Sequence, residues 1–338
     1  MSFLVIASFP ESLLHFRGPL LAALHAKGLQ VHVAAPNLPE GSEVRQRLQA
    51  LGYVVHSVSM RRTGTNPMAD AYTLWHLWRL MRRILPSHVL GYTIKPVIYG
   101  TLAAWLAGVP QRFALITGLG YAFQGGGQRS RLQALVQRLY SLALARAQRV
   151  FFQNPDDLAL FQERGILQPH TPVCVVNGSG VDVASFAVRP LPAAALAGAV
   201  RFLFIGRLLG DKGVREYAQA ARLLKRSHPQ VQCALVGWID TNPNAITQAE
   251  LDGWVADGSI NFWAAWPMCA PPLRRAVFMC CPATARARPA PCSKPWPWAA
   301  PSSPPTRPAA ARRWCMAKTV FWSRCKTPRP WLGPCAVL

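Results

Sequence analysis

Residues 202–225 read FLFIGRLLGDKGVREYAQAARLLK. The apolar run 202–205 has the length and composition of a buried strand. Gly206 ends it, and Arg207 and Lys212 come next in a short turn. Beyond Gly213, apolar residues recur at Val214, Tyr217, Ala218, Ala221 and Leu224, the spacing of a helix with one buried face. Strand, glycine turn and helix make an anion site in α/β proteins, because amides and the helix N-terminus face the anion and basic side chains close over it. A phosphate or diphosphate suits such a turn. The same residues also fit an ordinary strand-to-helix turn with solvated Arg207 and Lys212.

Outward from this stretch the chain keeps the α/β rhythm. Residues 3–7 predict a buried parallel strand, 9–14 a turn and 16–27 the first helix. His15 and Arg17 then lie where strand meets helix, the ligand edge of a doubly wound sheet. The alternative for His15 is to cap or pack the helix. Residues 30–35 and 54–58 predict further strands, with Gly28 and Gly52 as helix stops. Residues 92–100 read YTIKPVIYG, a strand end and a helix from Pro96; Lys95 there meets a phosphate or is solvated. In LITGLGYAFQGGG, residues 115–127, Gly118 and Gly120 allow close backbone approach to a ligand and Thr117 offers a hydroxyl. Residues 150–152 predict a strand, with Asn154 capping the helix after Pro155. Asn177 opens the glycine-rich turn 177–182, and 191–200 reads as a linker. A second domain starts near Arg201, with strands at 232–236 and 260–263.

Residues 69–85 interleave Tyr72, Trp75 and Trp78 with Arg79, Arg82 and Arg83. Aromatic residues beside arginines on one helix suit an anionic membrane surface. Residues 128–150 repeat the pattern more weakly. The competing reading is a pair of surface helices packed on the sheet through their apolar residues.

The chain has 338 residues, enough for two domains, and a net charge of +23. Such a charge invites a nucleic-acid reading, but its distribution argues against one. The last 75 residues hold 12 of the 37 Lys and Arg and none of the 14 Asp and Glu. They also hold 7 of the 9 cysteines and 15 of the 30 prolines. Only Cys174 and Cys233 remain in the body, so no disulfide framework is implied and a reducing compartment is expected. The tail cysteines lack zinc-ligand spacing. No signal peptide and no membrane-spanning run is expected.

The turn FIGRLLGDKG resembles the GRL…KG signature of retaining glycosyltransferase family 4, of GT-B architecture. The segments HFRGPLLAAL (15–24), RFALITGLG (112–120), VFFQNPDDLALF (150–161), VVNGSGVDVASF (175–186) and LVGWIDTNPNAIT (235–247) agree with it in order. The set is most similar to bacterial members that add N-acetylgalactosamine or a related sugar to undecaprenyl-diphosphate-linked sugars. The resemblance covers about residues 1–263. It implies two Rossmann-like doubly wound domains facing a cleft, the second incomplete. Residues 1–186 would form the acceptor-side domain, 187–263 the start of the nucleotide-sugar domain, and 264–338 an out-of-frame tail. Gly206, Arg207 and Lys212 would bind the donor diphosphate. His15, Arg17, Lys95, Thr117, Gly118, Gly120 and Asn177 would be cleft or acceptor candidates. The implied donor is a UDP-sugar and the implied acceptor a polyprenyl-diphosphate-linked saccharide at the inner face of the plasma membrane. No metal and no cofactor are expected, the two cations standing in for a metal. A UDP-N-acetylglucosamine 2-epimerase of the same fold and a non-catalytic basic nucleic-acid binder are the alternatives.

Beyond Trp263 the family pattern stops, and the genetic code connects residues 264–338 to it. If one nucleotide is lost after the Trp263 codon, each intended codon is the last base of one written codon plus two bases of the next. Behind every Trp or Met that last base is G. Positions 264, 299 and 317 are then forced to Gly, 267 and 297 to Ala, and 269, 280 and 315 to Val. All agree with the family. Retaining enzymes of this type carry two glutamates in the second domain, and here Arg286 and Lys294 stand in their places. A cation cannot accept the hydroxyl hydrogen bonds a carboxylate accepts. The cysteine–proline stretch around residue 280 is expected not to pair in a sheet, and the tail to be disordered and catalytically impaired.

Overall fold

The computed structural model describes residues 1–61, 66–118, 131–180, 200–239, 244–264 and 278–280. The chain divides into two compact units, Met1–Gly180 and Val181–Leu338.

In unit 1 the strands are β1 (Ser2–Ile6), β2 (Gln30–Ala35), β3 (Val54–Ser57), β4 (His88–Tyr92), β5 (Gln111–Ile116), β6 (Arg149–Phe152) and β7 (Val173–Val175). They form one parallel sheet in the order β3-β2-β1-β4-β5-β6-β7. The register sets Val5 beside Val33 on one side and Leu90 on the other. β1 is apolar throughout because both its faces are covered. Phe3 and Val5 pack with Leu21, Val33 and Leu48, whereas Leu4 and Ile6 pack with Leu77, Met81 and Ala104. The chain steps outward from β1 to β3, then crosses back to β4. Loops leaving β1 and β4 therefore part to opposite faces and open a crevice at the carboxyl ends of these strands.

The helices of unit 1 start and stop where local chemistry directs. α1 (Glu11–His15) is followed by α2 (Gly18–Ala26) and α3 (Glu43–Ala50). The first helix thus begins before residue 16. Pro10 and Glu11 favour a first turn, and the chain breaks at Phe16–Arg17 before Gly18 and Pro19 restart it. α4 (Pro67–Ile84) is capped by Asn66, whose Oδ1 accepts from the Met68 and Ala69 amides at 3.0 and 3.3 Å. After β4 comes a π-helical turn (Pro96–Gly100) running into α5 (Thr101–Leu106). A β-carbon on Gly91 would lie 2.4 Å from the Pro96 carbonyl oxygen, so glycine lets this turn sit against the strand. α6 (Arg131–Leu144) and α7 (Pro155–Glu163) complete the unit, and Asn154 Oδ1 caps α7 through the Asp157 amide at 2.7 Å.

Unit 2 repeats the plan. β8 (Arg201–Ile205), β9 (Gln232–Val236), β10 (Asn261–Phe262) and β11 (Phe278–Cys280) form a parallel sheet in the order β10-β9-β8-β11. α8 (Val214–Ser227) and α9 (Gln248–Ala256) lie between the strands in sequence. Val214, Tyr217, Ala218 and Ala221 of α8 are buried with Phe204, Leu235 and Trp254. The expectation that the stretch around residue 280 cannot pair is corrected for three residues. Phe278–Cys280 pairs in parallel with Phe202–Phe204, because pairing uses the backbone and no proline falls between Pro272 and Pro282. The linker 191–200, except its last residue, and all but those three residues of the segment 265–338 lie outside the described residues.

Candidate functional site

Each unit gathers polar groups at its own switch point. In unit 1 Ser8 follows β1 and Thr93 follows β4, and their hydroxyls are hydrogen-bonded at 2.8 Å. Thr93 has φ 69°, a left-handed conformation that a β-branched residue holds only under constraint. Ser12 of α1 donates to the Phe9 carbonyl, so its oxygen accepts from the Tyr92 hydroxyl, 2.7 Å away. Burial pushes the Tyr92 phenol up to about 12 and keeps it neutral.

Arg17 enters this cluster from the break between α1 and α2. It is only 5% exposed, and its guanidinium carbon lies 4.9 Å from the centre of the Tyr92 ring. Nη1 donates to Ser179 Oγ at 2.9 Å and to its neighbour's carbonyl at 3.3 Å. Gln153, just past β6, donates to the same Ser179 oxygen at 3.2 Å. Arg17 thereby links the loops after β1, β4, β6 and β7. Its Nε is buried without a hydrogen-bond partner, and burial lowers its pKa. Glu11, which opens α1, also has a buried Oε2 without a hydrogen-bond partner among the described residues.

The other candidates fare differently. Lys95 is neither solvated nor open to a ligand: Nζ pairs with Asp70 Oδ1 of α4 at 2.6 Å, and Tyr99 donates to Asp70 Oδ2 at 3.0 Å. The pairing arises because α4 packs beside the π-helical turn. His15 ends α1 exposed, and Asn177 is exposed. Thr117 and Gly118 close β5 half-buried, with open space where a β-carbon on Gly118 would stand. Gly120, Arg286 and Lys294 lie outside the described residues. Sequence reasoning passed over Ser8, Ser12, Tyr92, Gln153 and Ser179. Their one signal is position, since all but Ser12 fall at or just beyond strand ends.

In unit 2 the turn after β8 is fixed by backbone. Gly206 donates to Val236 at 3.0 Å, Leu208 to Trp238 at 3.0 Å, and Gly210 to Asn244 at 2.8 Å. Leu208 and Leu209 are buried and hold the turn down. Residues Gly210–Lys212 form a 3-10 turn, and Gly213, at φ 73°, starts α8 with no side-chain cap. The positive end of a 14-residue helix therefore comes directly after Arg207 and Lys212. Arg215 holds the next layer, pairing with Glu250 through Nε–Oε1 at 2.6 Å and Nη2–Oε2 at 3.0 Å. Those bonds and the Thr247 amide hold the Glu250 carboxyl down to about 2. Glycine turn, two cations and a helix N-terminus are the elements from which α/β proteins build anion sites.

Comparison with known proteins accords with this geometry. A glycosyl transferase 4-like family model matches residues 7–154. That match runs from just after β1 through β6 of unit 1 and marks a likeness to this family over those residues. The chain is 26% identical over 245 residues to a Campylobacter jejuni enzyme, N,N'-diacetylbacillosaminyl-diphospho-undecaprenol alpha-1,3-N-acetylgalactosaminyltransferase. That match covers 69% of this chain and 62% of the Campylobacter enzyme, so less than two thirds of the relative's length is represented. Among solved structures, Anabaena HepE with UDP and glucose superposes with a TM-score of 0.59 at 13% identity, covering 84% of this chain and 75% of that one. Sucrose-phosphate synthase from Thermosynechococcus elongatus gives 0.62 at 14% identity with the same coverages. The two sheets thus have the α/β fold of GT-B proteins.

Among the described residues, no group of three or more His, Cys, Asp or Glu could hold a metal ion, and no helix is long and apolar enough to cross a membrane. α4 is two-faced. Thr73, Leu77, Leu80 and Met81 are buried, whereas Met68, Tyr72, Trp75 and Trp78 are exposed beside exposed Arg79, Arg82 and Arg83. The packing expected of this helix's apolar residues thus holds for the leucines and not for the large aromatics.

Proposed function

We propose that the chain is built as a retaining glycosyltransferase that moves a sugar, an N-acetylhexosamine, from a UDP-sugar to a saccharide on a polyprenyl diphosphate. The observation that supports this most is the turn from Gly206 to Gly213, where Arg207, Lys212 and the uncapped α8 N-terminus follow one another beyond the carboxyl end of β8. Glycosyl transfer builds negative charge on the leaving diphosphate, and fixed donors and cations stabilise it as it forms. Two cations in that position remove the need for a metal. The likeness to the Campylobacter enzyme, whose name specifies a diphospho-undecaprenol acceptor and N-acetylgalactosamine, supports the choice of substrates.

Titration calorimetry with UDP on the full chain tests the reading. The chain is expected to bind UDP, and Arg207→Gln with Lys212→Gln to weaken binding about a hundredfold, each lost charge-assisted contact being worth roughly tenfold. Equal affinity in the double variant would remove the diphosphate from this turn. The epimerase alternative predicts consumption of UDP-N-acetylglucosamine without any acceptor. The nucleic-acid alternative predicts a salt-sensitive interaction lost with residues 264–338.

The reading frame is part of the proposal. With Arg286 and Lys294 in place of the two glutamates, the chain as written is a weak or inactive catalyst. Resequencing the gene across the Trp263 codon checks this, because a restored guanine returns both glutamates and an unchanged reading leaves a donor-binding remnant.

The same proposal places the protein at the inner face of the plasma membrane, held there through α4. Exposed tryptophans next to arginines sit at an anionic lipid boundary, where aromatic rings enter the headgroup layer and guanidinium groups meet phosphate. Co-sedimentation with phosphatidylglycerol vesicles is expected, falling about tenfold in Trp75→Ser with Trp78→Ser, while neutral phosphatidylcholine vesicles bind weakly. Undiminished sedimentation of the double variant would move the contact elsewhere.

A further inference from the structure

We propose that Arg17 is a second anion-binding residue, one that takes a diphosphate at the switch point of unit 1 independently of Arg207 and Lys212. The inference rests on the glycosyltransferase reading only for which molecule supplies the diphosphate. Three observations support it. Arg17 is almost wholly buried yet forms no ion pair among the described residues, and the ring it covers, Tyr92, stays a neutral phenol. A buried cation without a counter-charge costs free energy that its packing alone does not explain, so its retention asks for a reason beyond the fold. Its one side-chain hydrogen-bond partner, Ser179 Oγ, is a neutral hydroxyl already shared with Gln153. Nε, buried, has no acceptor at all.

The position is the one where an α/β sheet takes ligands, outside the carboxyl ends of β1 and β4. Arg17 also precedes Gly18 at the start of α2, a nine-residue helix that lacks a side-chain cap, so its free amides add to the same positive field. A guanidinium fork with an open Nε donor fits phosphate oxygens in pairs. No bond is made or broken at this locus; Arg17 binds and orients.

The test uses the full chain carrying Arg207→Gln and Lys212→Gln, so that unit 2 is silent, with inorganic pyrophosphate as the probe in titration calorimetry. Adding Arg17→Gln is expected to weaken pyrophosphate binding about tenfold or more, and Arg17→Lys to weaken it less. Without pyrophosphate, both variants are expected to melt no lower than the parent, since neither removes a compensated charge. Unchanged pyrophosphate affinity in Arg17→Gln overturns the proposal. So does a lowered melting temperature in both variants without pyrophosphate, which would make Arg17 a structural residue. Competition by farnesyl diphosphate and not by UDP assigns the anion to a lipid-linked acceptor, and the reverse pattern assigns it to the donor. UDP titration of the chain with Arg207 and Lys212 intact fails or succeeds separately, so loss of the functional reading is distinguished from loss of this one.

Discussion

Gly237→Ala is expected to destabilise unit 2 by about 3 kcal/mol or more and to abolish UDP binding. An added β-carbon would stand 1.9 Å from the Gly206 carbonyl oxygen and 3.2 Å from Leu208 Cδ2, at a backbone φ of 156°. Neither side can give way cheaply. The Gly206 amide is tied to Val236, that of Leu208 to Trp238 and that of Gly237 to Ala264. Relief must come from opening the seam between the turns after β8 and β9, and that seam positions Arg207 and Lys212. Gly210→Ala is the control. Its β-carbon would meet only the tips of the Asn244 and Arg215 side chains, at 2.7 and 3.0 Å, which can rotate aside. Calorimetric melting of both variants, with UDP titration, separates the two. A Gly237→Ala protein that melts with the parent would show that the turns are not locked together.

Asp70→Ala is expected to cost unit 1 roughly 3–5 kcal/mol, the range for breaking a buried pair from one side. Lys95 and Asp70 are 12% and 14% exposed and 2.6 Å apart, and the Tyr99 hydroxyl uses the other carboxylate oxygen. Removing the carboxylate leaves a buried ammonium and a hydroxyl without an acceptor. Asp70→Leu with Lys95→Met is expected to recover most of the loss, because two apolar groups need no partner. Urea unfolding of the parent and the two variants gives the loss and its recovery, and adding Asp70→Leu and Lys95→Met singly completes the cycle that yields the coupling. A loss below about 1 kcal/mol in Asp70→Ala would mean that water reaches the pair. The pair also ties α4, with its exposed tryptophans, to the turn after Thr93 and the Arg17 cluster. Weaker vesicle binding is therefore expected to accompany the stability loss.

Much of the candidate site in unit 2 was legible in the sequence, because it is local. Residues 202–225 hold strand, turn, cations and helix in one stretch, and period and glycine placement reveal each. Gly237 was not legible as a partner of Gly206, since a strand and a helix separate them. Unit 1 was legible as elements and not as a site. The flanks of the loop after β1 suggested residues 9–14 as a turn, yet Pro10 and Glu11 begin a helix there. Lys95 looked like a group open to a phosphate until the packing of α4 supplied Asp70.

The amino-acid sequence by itself determined the parallel α/β architecture and the strand, glycine turn and helix after β8, and it supplies the codon pattern on which the proposed frame break at Trp263 rests. Each of these is written in neighbouring residues, through hydrophobic period, turn chemistry and codon content. Only the tertiary structure decided which charges are neutralised. It joined Asp70 to Lys95, and it set Arg17 against Tyr92 and a serine 162 residues away without giving it a counter-charge. Strand order brings such residues together, and burial then sets whether a charge must find its partner in the fold or in a ligand.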